Sequence, residues 1–167
     1  MLIGDVVRWH GHKTPQKEAI RWDDNSMTYG QLLTRVNRVA NAMSAIGNKG
    51  DRVGILGTNR VAFLEVLFGA LSLGATVVPM NYRAGKDEAA HLIADSGTKV
   101  LVTEQRYTSL VDSVRPASLE HVLLFDGDRV ALHVTGGRRS PGGDRGVVGP
   151  GVIPAEARPP VSALTPR

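Results

Sequence analysis

Cysteine is absent from the 167 residues. That excludes a disulfide scaffold, a thiolate nucleophile and any cysteine metal site, and it fits a reducing compartment. Long hydrophobic runs are limited too: no uncharged apolar stretch reaches the roughly 18 residues that a membrane-spanning helix needs, so no membrane span is expected. The opening residues, Met-Leu-Ile-Gly-Asp-Val-Val-Arg, lack the basic region and apolar core of a signal peptide. The expected location is cytoplasmic. A Gly-x-Ser-x-Gly nucleophile elbow is also lacking, which removes the commonest hydrolase signature.

Charge of one sign is scarce once the chain is divided. The formal net charge is +4. Residues 128–167 hold six arginines, no lysine and three acids, whereas residues 1–127 hold 14 basic and 13 acidic side chains. The excess belongs to the last 40 residues, and the near-neutral remainder gives no support for a nucleic-acid partner.

What is present centres on residues 50–83, GDRVGILGTNRVAFLEVLFGALSLGATVVPMNYR. Residues 53–56 form a short apolar run bounded by glycines, as a buried parallel strand requires. Thr58 and Asn59 offer an N-cap to a helix over 61–73, apolar nearly all round and interrupted chiefly by Glu65 and Ser72. Gly74 stands at a left-handed C-cap. Residues 75–78 read as a second buried strand ended by Pro79. The unit is a right-handed βαβ crossover.

Around it the pattern predicts a short helix before Thr14-Pro15 with Leu2, Val6 and Trp9 on one face, then a hairpin over 18–28. A helix follows that opens with the capping box Thr28-Tyr-Gly-Gln31 and buries Leu32, Val36, Val39, Met43 and Ile46. Further on come a helix over 86–95, a strand over 99–103, a short helix over 107–114 and a strand over 121–125. Alternating β and α elements predict an α/β fold: a mostly parallel sheet with helices on both faces. Beyond Gly127 the sequence changes to seven Gly, six Pro and six Arg in 40 residues. With so few large apolar side chains it is expected to be a disordered C-terminal tail, apart from a trace of strand periodicity over 129–134.

Residues 1–127 resemble the N-terminal part of the adenylate-forming (AMP-binding) enzymes, especially the ATP-dependent acyl-CoA synthetases. Four stretches carry the likeness, in order and at family-like spacing: Met27-Thr-Tyr-Gly-Gln-Leu32; Gly50-Asp-Arg-Val53; Leu71-Ser-Leu-Gly-Ala-Thr-Val-Val-Pro79 with Met80-Asn81; and Ile93-Ala-Asp-Ser-Gly-Thr-Lys-Val-Leu-Val102. Pro79-Met-Asn81 is more similar to acyl-CoA ligases than to peptide-synthetase adenylation domains. The resemblance implies that the intact enzyme uses ATP, Mg and CoA to turn a fatty or aromatic carboxylic acid into an acyl-CoA through an acyl-adenylate. It also implies that the phosphate loop, the adenine platform, the ribose-binding Asp and the catalytic lysine all lie beyond the matched segment. The chain is therefore expected to be an inactive fragment that binds none of these cofactors by itself and has no catalytic residue. Residues 134–143, VTGGRRSPGG, have phosphate-loop composition without the Ser-Gly-Thr-Thr-Gly order or a following Pro-Lys-Gly. The GC-rich codon bias of Arg, Gly, Pro and Ala in residues 128–167 fits a frameshift near codon 127.

Three smaller constellations remain. Gly54 and Gly57 before a helix suggest a dinucleotide loop, but Arg52 occupies the first glycine's place, so a tight βα turn is expected. His10, His12, His91 and His121 come without carboxylates at ligand spacing, so no metal is expected. Asn81, Tyr82 and Arg83 follow a strand's carboxyl end, where open α/β sheets bind ligands, and are the substrate-cleft candidates. A competing, non-catalytic expectation is an interaction module that self-associates or docks on a full-length synthetase through an exposed sheet edge.

Overall fold

The computed structural model describes residues 3–126 and 129–135. Helix α1 (Asp5–Lys13) precedes a hairpin, β1 (Glu18–Trp22) and β2 (Asn25–Thr28), and helix α2 (Tyr29–Met43). The alternating part then runs β3 (Arg52–Leu56), α3 (Val61–Ser72), β4 (Thr76–Met80), α4 (Lys86–Asp95), β5 (Val100–Glu104), α5 (Thr108–Val114), β6 (His121–Asp126) and β7 (Arg129–Thr135). The main sheet has the order β4-β3-β5-β6-β7. Its first four strands are parallel, and β7 pairs antiparallel with β6.

Both faces of the sheet are covered, as alternating β and α elements dictate. On one face Val53, Ile55, Val100, Val102, Leu123 and Phe125 meet Val39 and Met43 of α2 and Ala62, Val66 and Ala70 of α3. On the other, Leu56, Leu101 and Val122 meet Ile93 of α4 and Val111 of α5. Side chains of this size stabilise by about 1.5–3 kcal/mol each when fully buried. Ile55, Leu56, Leu101 and Leu123 reach that limit with no exposed area.

The local signals explain most ends. Gln31 N–H donates to Thr28 Oγ1 at 3.3 Å and Thr28 N–H donates to Gln31 Oε1 at 2.9 Å, completing the capping box of α2. Gly74, just past α3, has φ +76°, the left-handed conformation that a Cβ disfavours.

Five expectations change. Helix α1 does not bury Val6 and Trp9: Val7 and Gly11 face inward, Val6 is half-buried and Trp9 is 53% exposed, while Leu2 lies outside the described residues. The face is set by close approach, since a Cβ on Gly11 would lie 2.6 Å from Leu33 Cδ2 of α2. Pro79 does not end β4 but sits within it, because among the described residues β4 is an edge strand and its outer flank makes no ladder bonds. For the same reason β4 is only partly buried: Thr76 and Pro79 are exposed, Val77 and Val78 half-buried, and Met80 alone of its five residues is buried. Helix α2 ends at Met43, leaving Ile46 half-buried in the connection to β3. Residues 129–135, placed with the tail by composition, form β7 on the edge of β6. The rest of the expected tail, residues 136–167, lies outside the described residues, as do Gly136 to Gly143 of the phosphate-loop-like stretch.

Candidate functional site: the carboxyl edge between β3 and β5

Neighbouring strands β3 and β5 send their chains opposite ways. From β3 the crossover through α3 leads to β4 on one side, and from β5 the connection through α5 leads to β6 on the other. Their carboxyl ends therefore flank a topological switch point, where open α/β sheets form a crevice.

A carboxylate fills it. Glu104, the last residue of β5, is 7% exposed. Its Oε1 accepts two bonds of 2.6 Å, one from the Thr58 backbone N–H and one from the Thr58 hydroxyl. Its Oε2 pairs with the Arg106 guanidinium. Arg60 Nε in turn donates to Thr58 Oγ1 at 3.1 Å, so the hydroxyl both gives and receives. The neighbouring Gly57 leaves the room this needs: a Cβ there would overlap the Phe125 ring and lie 3.2 Å from Glu104 Oε1. Burial alone pushes the Glu104 carboxyl up, but the two Thr58 bonds and the Arg106 charge together outweigh it, and the group is held below the ordinary glutamate range.

Sequence reasoning missed this cluster. It gave Thr58 to the N-cap of α3, yet Arg60 occupies the N-cap position without a side-chain bond, and Thr58 is drawn instead to a carboxylate 46 residues away. The available signal was an acid placed directly after four residues of a buried strand.

Asn81, Tyr82 and Arg83 stand in the turn after β4, at the carboxyl edge of the outermost strand. Asn81 Oδ1 accepts from the Arg83 backbone N–H at 2.9 Å, and the Arg83 guanidinium lies 5.3 Å from the Tyr82 ring centroid. Their side chains thus serve one another within the turn. The histidines are scattered: His10 stacks on Tyr29 at 4.6 Å, His12 is exposed near the end of α1, His91 is exposed on α4 and His121 begins β6. Among the described residues no three His, Cys, Asp or Glu side chains are grouped to hold a metal, and no helix is long and apolar enough to cross a membrane. The second acid buried in the fold, Glu65 of α3, is 2% exposed and pairs with Arg35 of α2 at 2.6 Å, a structural ion pair between helices.

The AMP-binding enzyme family matches residues 7–159. This chain belongs to that family. A feruloyl-CoA synthase from Amycolatopsis is 39% identical over 110 residues, covering 65% of this chain and 22% of the relative. A long-chain-fatty-acid–CoA ligase from Mycobacterium tuberculosis is 39% identical over 116 residues, covering 68% and 23%. Among solved structures, the N-terminal domain of FACL13 from Mycobacterium tuberculosis superposes with a TM-score of 0.69 at 32% identity, covering 74% of this chain and 34% of that one. The anthranilate CoA ligase AuaEII, in complex with anthranoyl-AMP, gives a TM-score of 0.70 at 26% identity, covering 75% and 25%. The chain spans less than a quarter of the length of these two curated relatives.

An AMP-binding enzyme has to hold a nucleotide, and the described residues do not fit one at the switch point. The donors that would meet a phosphate there, the Thr58 amide and hydroxyl, are engaged by Glu104. A triphosphate would meet a carboxylate of its own charge sign. The local chemistry of this crevice therefore leaves no open seat for a phosphate.

Proposed function

We propose that these residues are the N-terminal segment of a carboxylate–CoA ligase and do not catalyse adenylation alone. The carrying observation is the family match combined with the small share of each relative that is covered. In the intact enzyme a carboxylic acid, fatty or aromatic, reacts with ATP and Mg to give an acyl-adenylate and pyrophosphate. CoA then displaces AMP. The relatives' names, feruloyl-CoA synthase and long-chain-fatty-acid–CoA ligase, favour this breadth of acids. The segment supplies a packed sheet against which the remaining parts assemble. Asn81, Tyr82 and Arg83 contribute to the rim of the substrate cleft, and the enzyme works in the cytoplasm. None of these residues is assigned a chemical step.

The absence of a Ser-Gly-Thr-Thr-Gly loop followed by Pro-Lys-Gly from the 167 residues supports inactivity of the segment. Purified chain given ATP, Mg, CoA and ferulate or palmitate is expected to form no acyl-CoA. Thioester formation above a protein-free control would overturn this. The compositional change after Gly127 supports a shift of reading frame near codon 127. Resequencing that region and translating the other frames tests it: the missing loop should appear in one of them, and its absence from both would sink the frameshift.

A second reading rests on the edge strand β4. Its half-exposed Val77 and Val78, beside an unpaired backbone flank, favour self-association or docking on a full-length synthetase. Sedimentation at increasing concentration is expected to show association; a monomer that also ignores full-length relatives would remove this reading.

A further inference from the structure

We infer that Thr58, Arg60 and Arg106 form an anion cradle that Glu104 plugs from within the chain, closing the switch point to phosphate. The inference does not depend on the ligase reading, because it concerns only groups that face one another here.

Four donors converge. The Thr58 N–H and O–H meet one carboxylate oxygen, the Arg106 guanidinium meets the other, and Arg60 approaches through the Thr58 hydroxyl. A backbone amide, a hydroxyl and a guanidinium around one carboxylate, with a second guanidinium bonded to that hydroxyl, is a donor set that can hold a phosphate monoester or inorganic phosphate. Here the volume holds a side chain of the same charge sign. Gly57 is kept free of a Cβ by Phe125 and by the Glu104 oxygen itself, so the turn can approach the plug closely. The groups facing Glu104 are Thr58 and Gly57 from the β3–α3 turn and Arg106 from the turn after β5, with Arg60 one bond further out and the Phe125 ring of β6 against Gly57. None of them is acidic. Glu104 is thus the one negative charge among the groups named, and removing it leaves the Arg106 guanidinium and the Thr58 hydroxyl and amide without their anion. The plug makes the crevice a closed site in this chain: a phosphate ligand has to displace a carboxylate already bound at both oxygens.

The test is inorganic phosphate titrated against the full chain, read by the amide resonance of Thr58 and by melting temperature. Wild type is expected to show no saturable response at millimolar phosphate. Glu104→Ala is expected to gain at least about tenfold in affinity, with the Thr58 amide shifting in step (about 1.4 kcal/mol per factor of ten). Adding Thr58→Val or Arg106→Met to Glu104→Ala should abolish the gain. Should Glu104→Ala fail to fold, Glu104→Ser is read in its place. A wild type that saturates with phosphate as well as the variant does, or a folded variant with no gain, overturns the plug.

Discussion

Strands β3 and β5 are tied together at both ends by a carboxylate, and the two ties differ in what surrounds them. At the amino end Asp51 pairs with Lys99 at 2.7 Å, with side chains 15% and 44% exposed. Asp51 also accepts from the Asn48 N–H at 2.9 Å, forming a turn at the entrance to β3. At the carboxyl end Glu104 is buried and bound by Thr58 and Arg106. Both spans are long, 48 and 46 residues. The half-exposed tie trades a protein partner for water at little net cost. Arg106 is 52% exposed and can make the same trade, but the Glu104 oxygen bound by Thr58 cannot, so each bond lost there leaves a desolvated group behind. Proximity in the sheet is the same at both ends; burial decides which tie matters.

That contrast is sharpest at its extreme. Arg35→Met leaves the carboxylate of Glu65, 2% exposed, without its guanidinium, and should destabilise by about 3 kcal/mol, measured by urea unfolding of the 167-residue chain. Gly57→Ala tests the packing beneath the buried tie: its methyl group would press on Phe125, at a cost of about 2 kcal/mol. Thr58→Val keeps the shape and the backbone N–H but removes the hydroxyl from Glu104 and should cost about 1 kcal/mol. If Thr58→Val and an unrelated exposed Thr→Val change cost the same, the buried tie has no special weight.

The two ends also differ in their pH signatures. Glu104 and Asp51 are both held below their ordinary values, the first by Thr58 and Arg106 against the opposing effect of burial, the second chiefly by the bond from Lys99. Depressed carboxyls contribute stability above their unfolded values, lost as pH falls through the folded ones. Lys99 is raised, chiefly by the bond to Asp51, so its contribution is complete below its unfolded value and fades as pH rises through the folded one. Acid unfolding should therefore flatten in Glu104→Gln and in Asp51→Asn alike. The smallest effect belongs to Lys99→Met, whose change in melting temperature should shrink at high salt because the lysine side chain is 44% exposed. A Lys99 variant as damaging as Thr58→Val would break the comparison.

Much of this fold could be read from the chain because its signals are local. The capping box at Thr28 and Gln31, the left-handed Gly74 and the β–α alternation each depend on residues a few positions apart. What escaped depends on distant neighbours. An apolar run such as that of β4 is the same whether its strand is central or at an edge, and the sheet order alone decides. The inward face of α1 is chosen by Leu33, which no periodicity in residues 5–13 encodes. Composition could separate residues 128–167 but not detect that β6 would pair its backbone with 129–135. Thr58 obeyed a local rule in sequence and a long-range partner in structure. The likeness to AMP-binding enzymes was carried by whole motifs in register, which is why it was legible while the carboxylate at the switch point was not.

As proposed above, this chain carries the family's N-terminal sheet without its adenylating chemistry. ATP–pyrophosphate exchange by the purified 167 residues, with Mg and either ferulate or a long-chain fatty acid, tests it most directly, because that half-reaction needs neither CoA nor thioester release. Exchange is expected to be no faster than in the absence of the acid. Acid-dependent exchange above that background would contradict it.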